Sequence, residues 1–178
     1  MLQLVITNIV ATSNLRQKVN LKGTTGLTYV QFDQDIYPCA YVKTPSMHSR
    51  VSVFGSGKMI SAGTKTVRAA KHDFIETMRY LVKEHLVRKV NPETRVHNIV
   101  LTGDFEEPLD VIQMHRNLSP SMYEPEQFPG VIYHPAKYPG VSILFFRSGK
   151  FVVAGLKSRL QLTDIRSYLE SVGRLSSG

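Results

Sequence analysis

The stretch from Val53 to Lys65, VFGSGKMISAGTK, contains the residue types of a loop that binds a nucleotide phosphate. Such a loop needs a glycine, four further residues, Gly-Lys, and then a Ser or Thr whose hydroxyl binds magnesium. Here Met59 follows Lys58, and no glycine stands five positions before Gly57. The stretch therefore predicts a tight hairpin turn between two strands rather than a nucleotide site.

The other residues with catalytic potential also lack a catalytic pattern. The six histidines form no metal-spaced pair such as His-Glu-x-x-His. The single cysteine, Cys39, lies in a strand-like run, where packing is the simpler role. Asp104, Glu106 and Glu107 cluster beside a helix start, where acidic side chains favour the helix dipole. We therefore expect no enzyme, no metal and no cofactor.

The 178 residues carry a net charge of +8, and the charge is unevenly distributed. Residues 1–91 hold 13 Lys and Arg against 5 Asp and Glu, whereas residues 92–178 hold nine of each class. A basic excess on one half suggests a polyanionic partner there, although a basic surface without any partner explains the charge equally well. No apolar run approaches the roughly 18 residues of a membrane helix, so we expect no membrane partner.

The chain is a duplication of about 90 residues. The stretch FFRSGKFVVAGLK, Phe145–Lys157, repeats the pattern of Val53–Lys65. Earlier in each copy, TNIVAT matches HNIVLT and IYPCAYV matches QFPGVIY, in the same order and at nearly the same offset. We therefore predict two repeats, residues 1–91 and 92–178, joined around Asn91 and Pro92, with a disordered end at 175–178.

Each repeat predicts the same elements. An alternating strand opens it (residues 4–12 and 96–103), a short helix follows, then four strand-like runs and a long helix. Gly23 and Gly26 weaken the short helix of the first repeat. The predicted apolar face of the first long helix comprises Val67, Ala70, Phe74, Ile75, Met78, Leu81 and Val82. That of the second comprises Leu160, Ile165, Tyr168, Leu169 and Val172.

Two long helices can cover only one face of about ten antiparallel strands. Strand alternation groups Asn8, Val10 and Thr12 on one face, and Phe54 with Ser52. If this face is the open one, it is too apolar for a solvated surface, and Lys58, Lys65, Lys150 and Lys157 would rim it. Duplex DNA, with phosphates outside and base edges inside, fits such a face. The alternative, that these residues form the core and the others face out, stays open.

The sequences ITNIVATSNL, SGKMISAGTK, HNIVLTG, SMYEPEQFPGVIY and SGKFVVAGLK resemble the TATA-binding protein family over nearly the whole chain. The resemblance implies an α+β fold: a pseudo-two-fold saddle of two tandem repeats, a curved antiparallel sheet of about ten strands with two long helices on the convex face. It implies a general transcription initiation factor that binds the minor groove of A·T-rich core-promoter DNA, wedges aromatic side chains into end base steps, and bends the DNA.

The family's functional residues map onto this sequence as follows. The aromatic wedges match Tyr37, Phe54, Phe128 and Phe146, and the residues of the minor-groove floor match Asn8, Val10, Thr12, Asn98, Val100, Thr102, Leu144 and Val152. The phosphate contacts match Lys43, Ser56, Lys58, Lys65, Ser148, Lys150 and Lys157. The surface that binds transcription factor IIB matches Glu124, Glu126 and Gln127. Lys43 stands where the family usually has Arg. Beside Pro125, the two glutamates also fit a plain solvated turn.

The departures from the family pattern concentrate on the DNA face. Tyr37 replaces a Phe wedge, Ser52 replaces a large apolar residue, and Ala62 and Ala154 replace a Thr in each half. His134 and Pro135 interrupt a usually basic position, and Arg50 adds a charge. We therefore expect relaxed sequence selectivity, with the first half the looser one.

An alternative function is a divergent scaffold that acts through protein contacts and binds DNA weakly. For the leading function, the resemblance implies transcription factor IIB-like partners, other initiation factors and the RNA polymerase machinery. An apolar face free of DNA would favour a homodimer. The expected location is the nucleus in a eukaryote, or the cytoplasm and nucleoid in an archaeon.

Overall fold

The computed structural model describes residues 2–173. The predicted disordered end at 175–178 lies outside these residues. The chain divides into two compact units. We call Asn8–His97 the first unit, and residues 2–7 together with 98–173 the second unit. The repeat boundaries predicted from the sequence stay a prediction, since a compact unit and a sequence repeat are different objects.

The first repeat folds as a strand, a single helical turn, four strands and a long helix. The elements are β1 (Leu4–Asn14), a 3-10 helix (Leu21–Thr24), β2 (Val30–Gln31), β3 (Cys39–Val42), β4 (Val51–Phe54), β5 (Lys58–Thr64) and α1 (Val67–Lys83). Antiparallel pairing gives the order β2-β3-β4-β5-β1. The short helix is reduced to one 3-10 turn that contains Gly23, which agrees with the expected weakness of this segment.

The second repeat has the same order of elements. They are β6 (Arg95–Asp104), α2 (Val111–Asn117), β7 (Ser121–Met122), β8 (Gly130–Tyr133), β9 (Ser142–Phe146), β10 (Lys150–Leu156) and α3 (Arg159–Gly173). Antiparallel pairing gives the order β6-β10-β9-β8-β7. The predicted α+β class with about ten antiparallel strands and two long helices is confirmed. None of the described helices is both long and apolar enough to span a membrane.

A long helix covers one face of the sheet in the first unit. Thr66 caps α1 by accepting a hydrogen bond from the Ala69 amide at 3.0 Å. The helix buries Phe74, Met78 and Leu81 against β4 and β5. Because this side of the sheet is closed by apolar packing, the opposite side chains of the same strands remain for a ligand.

The prediction that Leu160 lies on the buried face of α3 is wrong. Its side chain is 85% exposed, whereas Ile165 and Leu169 are fully buried. Leu160 lies in the first turn, one helical turn before the exposed Asp164, so it shares the solvent face of the helix.

Candidate nucleic-acid interface

The strands of each unit present a half-exposed outward face opposite the buried one. In β4 of the first unit, Ser52 and Phe54 are half-exposed while Val51 and Val53 are buried. The same alternation recurs in the second unit. Its half-exposed residues are Val100, Thr102, Leu144, Phe146 and Val152, and the intervening buried ones are Leu101, Ile143, Phe145, Phe151 and Val153. The alternative in which the outward set forms the core is therefore excluded.

One asparagine in each unit is held in a defined orientation by a neighbouring strand. The Asn8 side-chain oxygen accepts a hydrogen bond from the Gly63 amide at 2.7 Å, and the Asn98 oxygen accepts one from the Gly155 amide at 2.7 Å. An amide N–H can only donate, so each contact assigns the carbonyl oxygen of the side chain and leaves its NH₂ group as a free donor. Both asparagines alternate with buried residues and lie on the outward face.

The two glycines that hold these asparagines lie at strand irregularities. Gly63 and Gly155 have φ values of +104° and +102°, in the region that favours glycine. The pairing register shifts between Ile9 and Val10 opposite β5, and between Val153 and Leu156 of β10. A bulge turns a backbone amide away from the regular ladder, which makes that amide available to the asparagine.

Two phenylalanines form an aromatic pair on the outward face of the second unit. The rings of Phe128 and Phe146 lie edge to face, with centroids 5.7 Å apart and planes at 61°. Gly130 lies beneath them, opposite Phe146 in the register. A Cβ at Gly130 would lie 3.0 Å from the Phe128 ring and 3.1 Å from the Phe146 ring. The glycine therefore allows the two rings to pack this closely.

The first unit arranges its aromatic residues differently. Cys39, opposite Phe54, occupies the position that corresponds to Gly130, and its side chain is buried. The Tyr37 ring lies edge-on to the Tyr41 ring at 5.3 Å. The interaction of the Tyr41 hydroxyl with the Cys39 side chain is the main reason that the Tyr41 pKa lies above its ordinary value. Tyr41 is therefore a neutral hydroxyl at physiological pH.

A hollow of about 320 Å³ lies on the outward face of the first unit. Ser52 pairs with Tyr41 on one side and with Ile60 on the other. In the second unit the corresponding cross-strand row is Ile132, Leu144 and Val152. Ser52 thus leaves space where Leu144 fills it. The hollow is lined by Tyr37, Tyr41, Arg50, Ser52, Ile60 and Ala62.

Tyr41, Ile60 and Ile132 also lie on the outward face, although they are not among the site residues predicted from the sequence. The internal repeat could have identified them, because the offset between its two copies pairs Tyr41 with Ile132 and Ile60 with Val152. The Arg50 guanidinium lies 4.9 Å from the centroid of the Tyr41 ring, a cation–π distance. Arg50 therefore has a defined place beside the hollow.

Exposed hydroxyl and ammonium groups lie at the hairpin turns and at the two ends of the strands that follow them. Gly57 and Gly149 have φ values of +86° and +90°, and the amide of each donates to the carbonyl of the Phe three residues earlier. A Cβ at either glycine would lie within 2.4 Å of a backbone oxygen, so only glycine fits. The exposed side chains of the turns and following strands are Ser56, Lys58, Lys65, Ser148, Lys150 and Lys157.

The predicted DNA-contacting residues differ in whether they already form ion pairs or hydrogen bonds within the protein. Within residues 2–173, none of the four turn and strand lysines forms an ion pair. The Lys43 ammonium, in contrast, donates to the Met47 carbonyl oxygen. The Thr12 hydroxyl lies 2.8 Å from the His97 ring nitrogen Nε2. Lys43 and Thr12 would therefore exchange an internal contact for one to a ligand.

The acidic turn of the second unit is exposed. Glu124, Glu126 and Gln127 all face solvent, and the Glu124 carbonyl accepts hydrogen bonds from the Gln127 and Phe128 amides at 2.9 and 2.8 Å. The first unit has a similar turn, in which the Asp33 carbonyl accepts from the Tyr37 amide at 2.8 Å. Each turn therefore fixes the backbone just before an outward aromatic residue.

Comparison with known proteins gives consistent matches. The family model described as "Transcription factor TFIID (or TATA-binding protein, TBP)" matches residues 3–84 and 93–171. A TATA-box-binding protein of Cenarchaeum symbiosum (strain A) is 35% identical over 174 residues, 97% of this chain and 93% of the relative. That of Pyrobaculum aerophilum is 36% identical over 155 residues, 86% of this chain and 77% of the relative.

A solved structure matches as well. Methanococcus jannaschii TBP covers 97% of this chain and 98% of its own, with a TM-score of 0.85 and 24% sequence identity. At that identity the likeness shows the fold.

Proposed function

The chain belongs to the TATA-binding protein family, and on that premise we propose that it acts through the outward faces described above. It is a general transcription initiation factor that binds TATA-like promoter DNA. The proposal concerns how this chain does so: by minor-groove contact, by aromatic wedging at the end base steps, and by bending the duplex. The observation that carries it is the pair of outward-face asparagines whose side-chain oxygens are each held by a strand amide, which leaves the NH₂ groups to donate to DNA.

An oriented amide donor on the outward face of each unit suits the minor groove of A·T-rich DNA. Adenine N3 and thymine O2 are acceptors there, whereas guanine adds an amino donor. An apolar floor around Val100, Leu144 and Val152 offers no acceptor for that amino group. Burying it unpaired costs about 1–3 kcal/mol. The second unit therefore favours A·T over G·C.

The aromatic pair of the second unit suits insertion between base steps. The family is itself a standard example of minor-groove binding with apolar wedges that kink the duplex. Phe128 and Phe146 are half-exposed, rigid and adjacent, and they can replace part of the stacking that a kink removes. In the first unit, Tyr37 and Phe54 take the same roles, with Cys39 beneath them.

Bending is the direct test of this proposal. A TATA duplex labelled at its two ends with a donor and an acceptor dye should show increased energy transfer when the chain binds, since wedging shortens the end-to-end distance. A duplex of G·C-rich scrambled sequence is the control. Binding to the TATA duplex without a change in energy transfer would contradict the wedge mechanism.

We expect Ser52 to relax selectivity, because its small side chain leaves the hollow of the first unit unfilled. Ser52→Leu should raise the discrimination between a TATA duplex and one carrying a single G·C pair by about tenfold, or 1.4 kcal/mol. The reciprocal variant, Leu144→Ser, should lower it. Competition binding measures both ratios. Equal ratios in the wild type and both variants would show that these positions do not contact the base edges.

The turn lysines should act as phosphate contacts. Each of Lys58→Ala and Lys150→Ala should reduce the slope of log affinity against log salt by about one, because one fewer counterion is released. Lys71→Ala, on the exposed face of α1, is the matched control and should leave the slope unchanged. The slope is measured by titration at several salt concentrations. If all three variants kept the slope of the wild type, Lys58 and Lys150 would not be phosphate contacts.

The acidic turn is the proposed surface for a transcription factor IIB-like partner. Glu124 and Glu126 are exposed and have no ion-pair partner within residues 2–173, so a basic surface can reach them. Other initiation factors and the polymerase machinery are further proposed partners, and a homodimer would cover the apolar face when DNA is absent.

Since the reported relatives are archaeal, we propose that the protein is located in the cytoplasm and nucleoid rather than in a nucleus.

The alternative of a scaffold with weak DNA binding is not favoured. The relatives that match most of the chain are named TATA-box-binding proteins, and the oriented asparagines are retained in both units.

A further inference from the structure

Two histidines and an aspartate meet in the first unit, where the segment between β3 and β4 contacts α1. His72 and Asp73 lie on α1, and His48 lies in the segment between β3 and β4. One ring nitrogen of each histidine and a carboxylate oxygen of Asp73 lie within 4.8 Å of one another. The sequence showed no metal-spaced histidine pair because His48 and His72 are 24 positions apart and only the fold brings them together.

The distances from the carboxylate to the two imidazoles match those of a tetrahedral metal centre, and in the metal-free chain the shorter one is a hydrogen bond. The Asp73 oxygen Oδ1 lies 3.1 Å from His48 Nδ1 and 3.5 Å from His72 Nδ1. Ligand atoms about 2.1 Å from a tetrahedral zinc ion are about 3.4 Å apart. The carboxylate therefore already has the required spacing from both imidazoles. The side chains of His48 and His72 are 56% and 42% exposed, so they can close around an ion.

A buried imidazole nitrogen without a hydrogen bond points to a ligand. The His72 atom Nδ1 is buried and makes no hydrogen bond within the described residues, and the Asp73 carboxylate at 3.5 Å is an ion-pair contact only when the imidazole is protonated. A buried polar atom without a partner costs free energy, which an ion bound to it would remove. An imidazole nitrogen in its neutral form offers a lone pair suited to zinc.

The carboxylate is held in place by its own hydrogen bonds. Asp73 is fully buried, and its Oδ1 accepts from the His48 amide at 2.8 Å. Its Oδ2 accepts from the Ser49 amide at 2.7 Å and from the Ser49 hydroxyl at 3.0 Å. Outer-shell contacts of this kind orient a ligating carboxylate before the metal arrives.

We propose that His48, His72 and Asp73 bind one divalent transition-metal ion of the zinc class, with water completing the coordination shell. The bound ion fastens the segment between β3 and β4 to α1. It stabilises the folded first unit, and two of its three ligands, His72 and Asp73, lie on α1, the helix that packs on β4 and β5 opposite Phe54 and Ser52.

Zinc titration of the untagged chain tests this proposal. Calorimetry should show one Zn²⁺ per chain, and cobalt should give the ligand-field absorption of a four-coordinate site. Zn²⁺ at a hundredfold excess over its dissociation constant should raise the melting temperature by roughly 5 °C. DNA affinity should be the same with and without Zn²⁺.

Variants separate this site from adventitious binding. His48→Ala and His72→Ala, both at partly exposed side chains, should each weaken zinc binding at least about tenfold and abolish the cobalt spectrum. His115→Ala, at an exposed histidine on α2, is the matched control and should bind zinc like the wild type. Absence of zinc binding to the wild-type chain, or unchanged binding in both His48→Ala and His72→Ala, would overturn the proposal.

Discussion

A chain that carries both Phe128→Ala and Phe146→Ala is expected to bind a TATA duplex roughly a hundredfold more weakly than the wild type, a loss of about 2.7 kcal/mol. Stacking of one aromatic side chain on a base contributes about 1–3 kcal/mol. The two rings contact each other at 5.7 Å, so their effects are coupled and we expect slightly less than the full sum. Fluorescence anisotropy with an end-labelled duplex measures the loss.

The effect of the double substitution on the stability of the fold must be distinguished from its effect on DNA affinity. Both rings are half-exposed, so removing them should cost the fold little compared with removal of a buried ring such as Phe145. Leu160→Ala removes an apolar side chain of the same unit that is 85% exposed on α3, and it should leave DNA affinity unchanged. If the doubly substituted chain folds normally and its affinity for the TATA duplex is within about twofold of the wild type, the two rings do not act as wedges.

The variant Gly155→Ala is expected to lower the free energy of unfolding by at least about 3 kcal/mol and to weaken DNA binding as well. A residue other than glycine at φ +102° carries strain of about 1–3 kcal/mol. A Cβ there would also lie 2.1 Å from the Gly140 carbonyl oxygen, so the backbone must shift. That shift moves the amide that orients Asn98.

Gly63→Ala is the matched comparison in the first unit. Its φ of +104° carries the same strain, but the nearest atom to an added Cβ is the Ser49 Cβ at 3.8 Å. We expect a loss of about 1–2 kcal/mol, with the Asn8 contact kept. Chemical denaturation of both variants measures the difference. An equal loss in the two variants would show that the contact with the Gly140 carbonyl is relieved without cost.

Most of the fold prediction depended on the internal repeat of the sequence. Three matched stretches at nearly one offset predicted the same elements in both halves, and the structure has that order of elements in both repeats. Periodicity alone could not place Leu160, since the first turn of a helix can extend beyond the sheet it packs on. It also left open which face of the strands is buried, because both faces carry apolar residues such as Val53 and Phe54.

The site was predictable where the repeat and the family resemblance agree, and less so where side chains from separate strands meet. Asn8 and Asn98 were named from the sequence, but their orientation depends on bulges at Gly63 and Gly155 that no residue pattern displays. The contact between Tyr41 and Ser52 follows from the register of β3 and β4. The assignment of individual residues to DNA contacts stays a prediction.

The central claim is that this chain reads TATA-like DNA, and equilibrium binding tests it most directly. An end-labelled TATA duplex and a G·C-rich scrambled duplex are titrated by fluorescence anisotropy at two salt concentrations. We predict at least a hundredfold preference for the TATA duplex, about 2.7 kcal/mol, which persists at the higher salt. Equal and salt-sensitive binding to both duplexes, or no binding to either, would contradict the claim.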